Sequence, residues 1–230
     1  MNDLLIESAF FGVVLSLFAY EIGLQIKKRM PFVLCNPMLI AIIITMVILI
    51  ACNVEYDVYY ASAKYLSYLL TPTTVCLAIP LYEQIELLKG NWKAIILGIG
   101  SGVLTSLISI FGLSLLMGFN HEEYVTLLPK SVTTAIGMGI SEELGGYVSI
   151  TVATIAITGI FGNIIAESIC RIFKIEEPIA KGIAIGTASH AMGTVKAMEM
   201  GEVEGSMSGL SIAVSGLLTV VAAGVFSTLI

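Results

Sequence analysis

Five apolar runs, near 4–26, 33–52, 94–118, 148–170 and 206–229, dominate this chain. Each is close to the roughly 20 residues a helix needs to cross a bilayer. Lipid offers no partners to backbone N–H and C=O groups, so a spanning segment is either a helix or part of a closed barrel. Runs this long and continuous read as helices. Composition agrees, since 57% of the 230 residues are hydrophobic and only 12% are charged. A soluble domain carries about 25% charged residues, so this chain is expected to be an all-α integral membrane protein. The connections are too short for a soluble domain, and residues 1–230 read as a single membrane domain.

The net charge of −6 comes mainly from short connections, which suit neither nucleic acid nor an anionic membrane surface. Cys35, Cys52, Cys76 and Cys170 are scattered without metal-ligand spacing, so no metal and no cofactor is expected. The first run begins beside Asp3 and Glu7 and is followed by Lys27-Lys28-Arg29. That is the reverse of a signal peptide, and it reads as a membrane helix with its N-terminus outside.

Three further apolar segments, near 65–88, 124–141 and 180–199, are short or broken. The first contains Pro72-Thr73-Thr74 and Pro80, the second Leu128-Pro129-Lys130-Ser131-Val132-Thr133-Thr134, and the third Gly186-Thr187-Ala188-Ser189-His190-Ala191-Met192-Gly193-Thr194. Pro72, Pro80, Pro129, Gly186 and Gly193 are the expected helix breakers. Irregular backbone and polar side chains at membrane depth are tolerated where protein buries them or a cavity receives them. Paired interrupted segments point to a transporter's binding site.

Basic residues orient the threading. Lys27, Lys28 and Arg29, then Lys89 and Lys93, then Arg171, Lys174 and Lys181 mark cytoplasmic connections. The loops around Glu55 and Asp57, Glu122 and Glu123, and Glu202 and Glu204 read as external. These assignments agree only if 124–141 enters and leaves on one side as a re-entrant segment. The broken segments at 65–88 and 180–199 then run in opposite directions, giving approximate inverted repeats at 33–118 and 147–229. Small-residue spacing, Gly98 with Gly102 and Gly205 with Gly209, suits close helix packing.

Among the polar residues, Lys130 is the most suggestive. A lysine beside free N–H groups at a helix start attracts an anion such as a carboxylate; the alternative is a side chain that snorkels to the interface. The hydroxyls of Ser131, Thr133 and Thr134 around the same breaker favour the first. His190 is either a satisfied core residue or a substrate contact and proton carrier, and the flanking breakers favour the second. His121 reads as solvated. Lys196 reads equally as snorkelling or as anion steering, Tyr82, Glu83 and Glu86 as a helix end, and Asn36-Pro37 as a helix cap. Ser189 and His190 are adjacent and point apart by about 100° on a helix, so they make no catalytic pair, and no enzyme is expected.

Four stretches carry a family resemblance: Asn36-Pro37-Met38-Leu39; Pro72-Thr73-Thr74-Val75 through Pro80-Leu81-Tyr82-Glu83-Gln84; Leu128 through Thr134; and Gly186 through Ala191 with Gly193-Thr194. In order and spacing they resemble the LrgB/CidB family of bacterial membrane proteins, whose plant relatives are plastidic glycolate/glycerate translocators. Ala135 stands where the family often has proline, and Lys196 where it often has arginine. Lysine lacks the guanidinium fork that grips a carboxylate at two points.

The resemblance implies a multi-pass protein of the bacterial cell (inner) membrane. It implies a transporter-like bundle with two discontinuous helices, similar to cation/proton antiporters and bile-acid carriers. It implies two functions: carriage of small organic acid anions of the glycolate, glycerate or pyruvate class with an LrgA/CidA-type small membrane partner, or an antiholin-like or holin-like role in murein hydrolase activity and lysis. The reading adopted is a monocarboxylate carrier working by alternating access with protons, as a homo-oligomer. Lys130 supplies positive potential. Thr73, Thr74, Ser131, Thr133, Thr134, Thr187, Ser189 and Thr194 bind substrate oxygens, and His190 binds substrate and carries the proton.

Overall fold

The computed structural model describes residues 10–30, 35–69, 72, 76, 78–83 and 85–230. Their regular structure is helical, with no strand among them. The chain divides into two compact units, residues 1–76 and 77–230.

In the first unit, α1 (Phe11–Arg29), α2 (Pro37–Ala51) and α3 (Tyr56–Ser67) follow one another. Helix α2 starts where its sequence dictates. The Asn36 side chain accepts from the N–H groups of Met38 and Leu39 at 2.9 and 3.2 Å, and Pro37 occupies a first-turn position where its missing N–H costs nothing. The cap expected at Asn36-Pro37 is therefore present. Gly12 lets α1 meet α3: its N–H donates to Ser62 Oγ at 2.7 Å, and a Cβ there would lie 2.6 Å from the Tyr59 carbonyl.

The second unit contains α4 (Ala78–Glu83), α5 (Ile85–Met117), α6 (His121–Leu127), α7 (Thr134–Glu143), α8 (Val148–Ile172), α9 (Pro178–Met200) and α10 (Glu202–Phe226), followed by a short 3-10 turn. Among the described residues, three helices are long and apolar enough to cross a membrane: Lys89–Met117, Val148–Ile172 and Glu202–Leu229. They correspond to the runs at 94–118, 148–170 and 206–229.

Between α5 and α8 the chain folds into a helical hairpin. Asn120 and Glu123 form a reciprocal cap that starts α6. Helices α6 and α7, of 7 and 10 residues, are each too short to span. Residues 128–133, which include Pro129 and Lys130, form the turn between them. The ends of the hairpin meet: Tyr147 Oη donates to Glu122 Oε2 at 2.6 Å, and His121 Nε2 faces the Leu144 carbonyl at 3.3 Å. His121 Nδ1 also lies 2.7 Å from the Ile230 carbonyl, so this histidine ties chain segments together as well as meeting solvent. Buried Thr151 pins both arms to α8, donating to the Thr126 carbonyl at 2.9 Å and lying 2.8 Å from Ser141 Oγ. Thr151→Val is expected to lower stability by about 1–3 kcal/mol by stranding these buried acceptors. Thermal unfolding in detergent measures it.

Helix α9 departs furthest from the sequence reading. It is a second hairpin, reversing at His190, whose backbone is at φ 42°, ψ −139°. In a continuous helix Ile185 and Gly193 would stand about 12 Å apart along the axis. Here a Cβ on Gly193 would lie 3.0 Å from the Ile185 carbonyl oxygen. The 178–189 arm runs antiparallel to α8, since Ser189 meets Gly162 while Ile185 packs with Ala166 and Cys170. The 191–200 arm runs parallel to α8, with Met192 beside Asn163 and Lys196 beside Glu167.

Two expectations are corrected by this reversal. Gly186 and Gly193 are helical rather than the breakers; they are small because a neighbour passes close. The segment at 180–199 does not carry the chain across. The Glu202–Glu204 connection therefore shares an end with Arg171, Lys174 and Lys181 instead of lying opposite them: Lys181 Nζ is 4.0 Å from Glu204 Oε1. The α6–α7 hairpin enters from the other end of the unit, where Tyr124 Oη donates to the Phe226 carbonyl at 3.0 Å.

Candidate functional site at the hairpin tips

The two hairpins point toward each other, and their tips reach one cavity of about 990 Å³. Its walls come from one stripe of α5, including Gly98, Gly102 and Ser106, and from α8 and the first arm of α9. Lys130 and Ser131 enter from the α6–α7 tip, and Thr187, Ala188 and Ser189 from the α9 tip.

Backbone geometry places the cation. Pro129 is buried in the turn and Lys130 follows it half-buried. Lys130 Nζ donates to Ser131 Oγ at 2.9 Å, and Ser131 Oγ lies 3.3 Å from Ser106 Oγ on α5. Among the described residues no carboxylate pairs with Lys130. A cation held away from water without a counter-charge is costly, and an anion in this cavity offsets that cost. Thr187 adds a second unmet demand. Its Oγ1 is buried and has no hydrogen-bond partner among the described residues.

Of the residues expected at the site, Lys130, Ser131, Thr187 and Ser189 meet at the cavity. Thr133 is the N-cap of α7 and Thr134 its first residue, and neither lines the cavity. Thr194 Oγ1 donates to the His190 carbonyl at 3.0 Å and contacts Ser208 Oγ at 2.7 Å, which fastens the α9 hairpin to α10. Thr73 and Thr74 lie outside the described residues; Pro72 is helical and exposed, and Pro80 is within α4. His190 is only 3% exposed and lies behind the cavity wall. Its Nε2–H donates to the Ile155 carbonyl at 3.1 Å, holding the turn against α8.

Ser106 was missed by sequence reasoning. It lies in an uninterrupted apolar run, and only the three-dimensional approach of Ser131 singles it out. A histidine at a breaker was a fair signal for the α9 tip, although the ring's visible task is structural.

At the basic end, a second cavity of about 450 Å³ is lined by Glu167, Arg171, Lys174, Lys181, Lys196, Glu199 and Glu204, among others. Lys196 Nζ lies 3.2 Å from Glu167 and 3.4 Å from Glu199, so the expected choice between snorkelling and anion steering resolves into ion pairing. Glu167 is half exposed, at 52%. Glu167→Gln is therefore expected to change stability by less than about 1 kcal/mol, measurable as a small shift in unfolding midpoint. Outside the spans, the hydrogen bond from Tyr147 to the Glu122 carboxylate raises the phenol above its ordinary pKa. Among the described residues no cluster of His, Cys, Asp and Glu has the geometry to hold a metal.

Residues 16–229 match the LrgB-like family. The chain is 36% identical over 218 residues to the antiholin-like protein LrgB of Bacillus cereus (strain B4264), covering 94% of this chain and 95% of that protein. The same figures hold for the antiholin-like protein LrgB of Bacillus anthracis (strain A0248). No solved structure gives a significant match.

Proposed function

Because this chain belongs to the LrgB-like family and has membrane-capable helices, we propose that it is a multi-pass carrier of small monocarboxylates, with the carboxylate bound at Lys130. The observation that carries this reading is the half-buried ammonium of Lys130, without a carboxylate partner among the described residues, facing a cavity between two opposed hairpin tips. In this reading Ser131 and Ser106 bind a hydroxyl or keto oxygen of the substrate. An inert packing protein has no use for a cation in that position.

In this reading the two hairpins act as an inverted pair, α5 with α6–α7 and α8 with α9, and such pairs support alternating access by exposing one site to each side in turn. Movement of either hairpin is the conformational step, coupled to protons through His190 at the turn of α9. The protein is not an enzyme in this reading. An LrgA/CidA-type small membrane protein and a second copy of the chain are the proposed partners, and the N-terminus lies outside a bacterial cell membrane.

The relatives' name supports a second reading, an antiholin-like protein, which in the family resemblance is a regulator of murein hydrolase activity and lysis. Uptake of labelled pyruvate and glycolate into proteoliposomes under an imposed pH gradient separates the two. Saturable flux that follows the gradient, with labelled sucrose excluded, establishes the carrier. Leak of both acid and sucrose, or no flux with the small partner present, establishes the regulator.

A further inference from the structure

We propose that the α6–α7 hairpin is a hinged gate. It closes the hairpin-tip cavity toward the far end of the unit, opposite the basic residues, and swings on Gly118 and Gly145. The α9 hairpin stays with α10. The proposal rests on the carrier reading for the purpose of the motion and goes beyond it by naming the part that moves.

The cavity is one-sided. Gly98 of α5 meets Ile183 and Gly102 meets Thr187, so α5 runs parallel to the first arm of α9 and antiparallel to α8. Along α5 the cavity wall begins at Asn91, beside Lys89 and Lys93, and stops at Ser109. Along α8 it spans Ile157 to Cys170. Beyond Ser109 and Ile157 the hairpin fills the space between the two helices. Its Tyr124, Val125 and Leu128 share one buried cluster with Leu107 and Ile110 of α5. The Phe111 and Tyr124 rings meet edge to face, with centroids 6.2 Å apart. On the other side a Cβ at Gly137 would collide with Ile155 Cδ1 of α8. The hairpin thus leaves the cavity extending from Lys130 toward the basic end and shuts it toward the far end.

Both connections to the hairpin have the backbone of a hinge. Gly118, between α5 and α6, sits at φ +69°, and Gly145, between α7 and α8, at φ +82°. A would-be Cβ on either meets nothing within 4 Å, so no close neighbour demands a glycine there. What each provides is free passage through φ, and a few such residues at element ends absorb a hinge motion. They lie at the mouth of the hairpin, where Tyr147 meets Glu122 and His121 faces Leu144. The mouth is therefore the axis, and the tip travels. At the tip the polar contact to α5 is long, Ser131 Oγ to Ser106 Oγ at 3.3 Å. The α9 hairpin is fastened differently. Gly182 and Gly186 bring its first arm onto the backbone of α10, and Thr194 ties the second arm to Ser208.

The test is labelling of Ser109→Cys by a membrane-impermeant maleimide applied to one face at a time. Ser109 lines the cavity at its closed end. Cys35, Cys52, Cys76 and Cys170 are replaced by alanine, and the full chain is reconstituted in one orientation. Labelling from the far face is expected to be about tenfold or more slower than from the basic face, because the open gate is a minor state. Leu128→Ala removes buried packing at the tip, and Gly137→Phe wedges α7 away from Ile155. Each is expected to speed far-face labelling about tenfold or more and to leave basic-face labelling unchanged. Unfolding midpoints identify the variants that fold, and either one suffices. Thr194→Val, which loosens the α9 hairpin, is expected to leave far-face labelling as it was. Equal labelling from both faces, faster labelling from the far face, or no response in a folded gate variant overturns the gate. A far-face increase in Thr194→Val instead moves the gate to α9 and also overturns it. The experiment reads access rather than transport, so the carrier reading stands or falls separately, on the proteoliposome flux.

Discussion

Replacing Lys130 by alanine abolishes high-affinity uptake of the carried acid, while Lys130→Arg keeps most of it. The ammonium makes its hydrogen bond to Ser131 and has no carboxylate partner among the described residues, so a substrate carboxylate would be its counter-charge. Losing a charge-assisted contact in a partly desolvated site weakens binding by about a hundredfold. The fold is not expected to suffer, because removing an uncompensated, half-buried charge is neutral or stabilising. The checks are initial rates across a concentration series and the unfolding midpoint of the same preparation. Unchanged uptake in Lys130→Ala sinks the site assignment, and arginine restores the charge if charge is what matters.

The second large effect is on the fold. Gly186→Ala is expected to cost about 3 kcal/mol, at the upper end of ordinary overpacking, and Gly186→Val to prevent recovery of folded protein. A Cβ at Gly186 would run into the Ser208 backbone of α10, with Ser208 Cα at 2.8 Å. Backbone cannot rotate away as a flexible side chain can. Gly182 meets the backbone of Glu204 in the same way, so the first arm of α9 lies against α10 along a glycine stripe. Gly112→Ala is the control: nothing lies within 4 Å of its would-be Cβ, and removing a glycine from a helix interior is neutral or stabilising by up to about 1 kcal/mol. The measurement is the unfolding midpoint of each variant in detergent. A Gly186→Ala midpoint equal to that of Gly112→Ala contradicts the close packing.

How much of this could be read in the chain depended on the kind of signal. The long apolar runs at 94–118, 148–170 and 206–229 declared their helices because hydropathy is a property of single segments. Lys130 was legible because a lysine behind a proline in apolar surroundings is rare without a purpose. The reversal at His190 was not. Nothing in Ser189-His190-Ala191 states that one residue adopts a positive φ, and the glycines on either side looked like the breakers. Their true work, allowing α10 and the opposite arm to approach, depends on residues far along the chain. The misplaced Glu202–Glu204 connection followed from that one error, since a hairpin read as a crossing inverts everything after it. Thr133, Thr134 and Thr194 were drawn toward the site because motif proximity was taken for spatial proximity. A cap residue and a hairpin fastener can stand beside a site in sequence and still face away from it. Ser106, which does reach the tip, carried no mark at all.

In the proposed carrier the Lys130 ammonium contacts the carboxylate of the carried acid. Solid-state magnetic resonance tests it by measuring dipolar coupling between ¹⁵N-labelled lysine side chains and ¹³C-carboxylate pyruvate, with Lys130→Arg assigning the signal. Strong coupling at hydrogen-bonding range is expected, and it disappears from the lysine spectrum in Lys130→Arg. Coupling to another lysine, or none under conditions where pyruvate is bound, contradicts it.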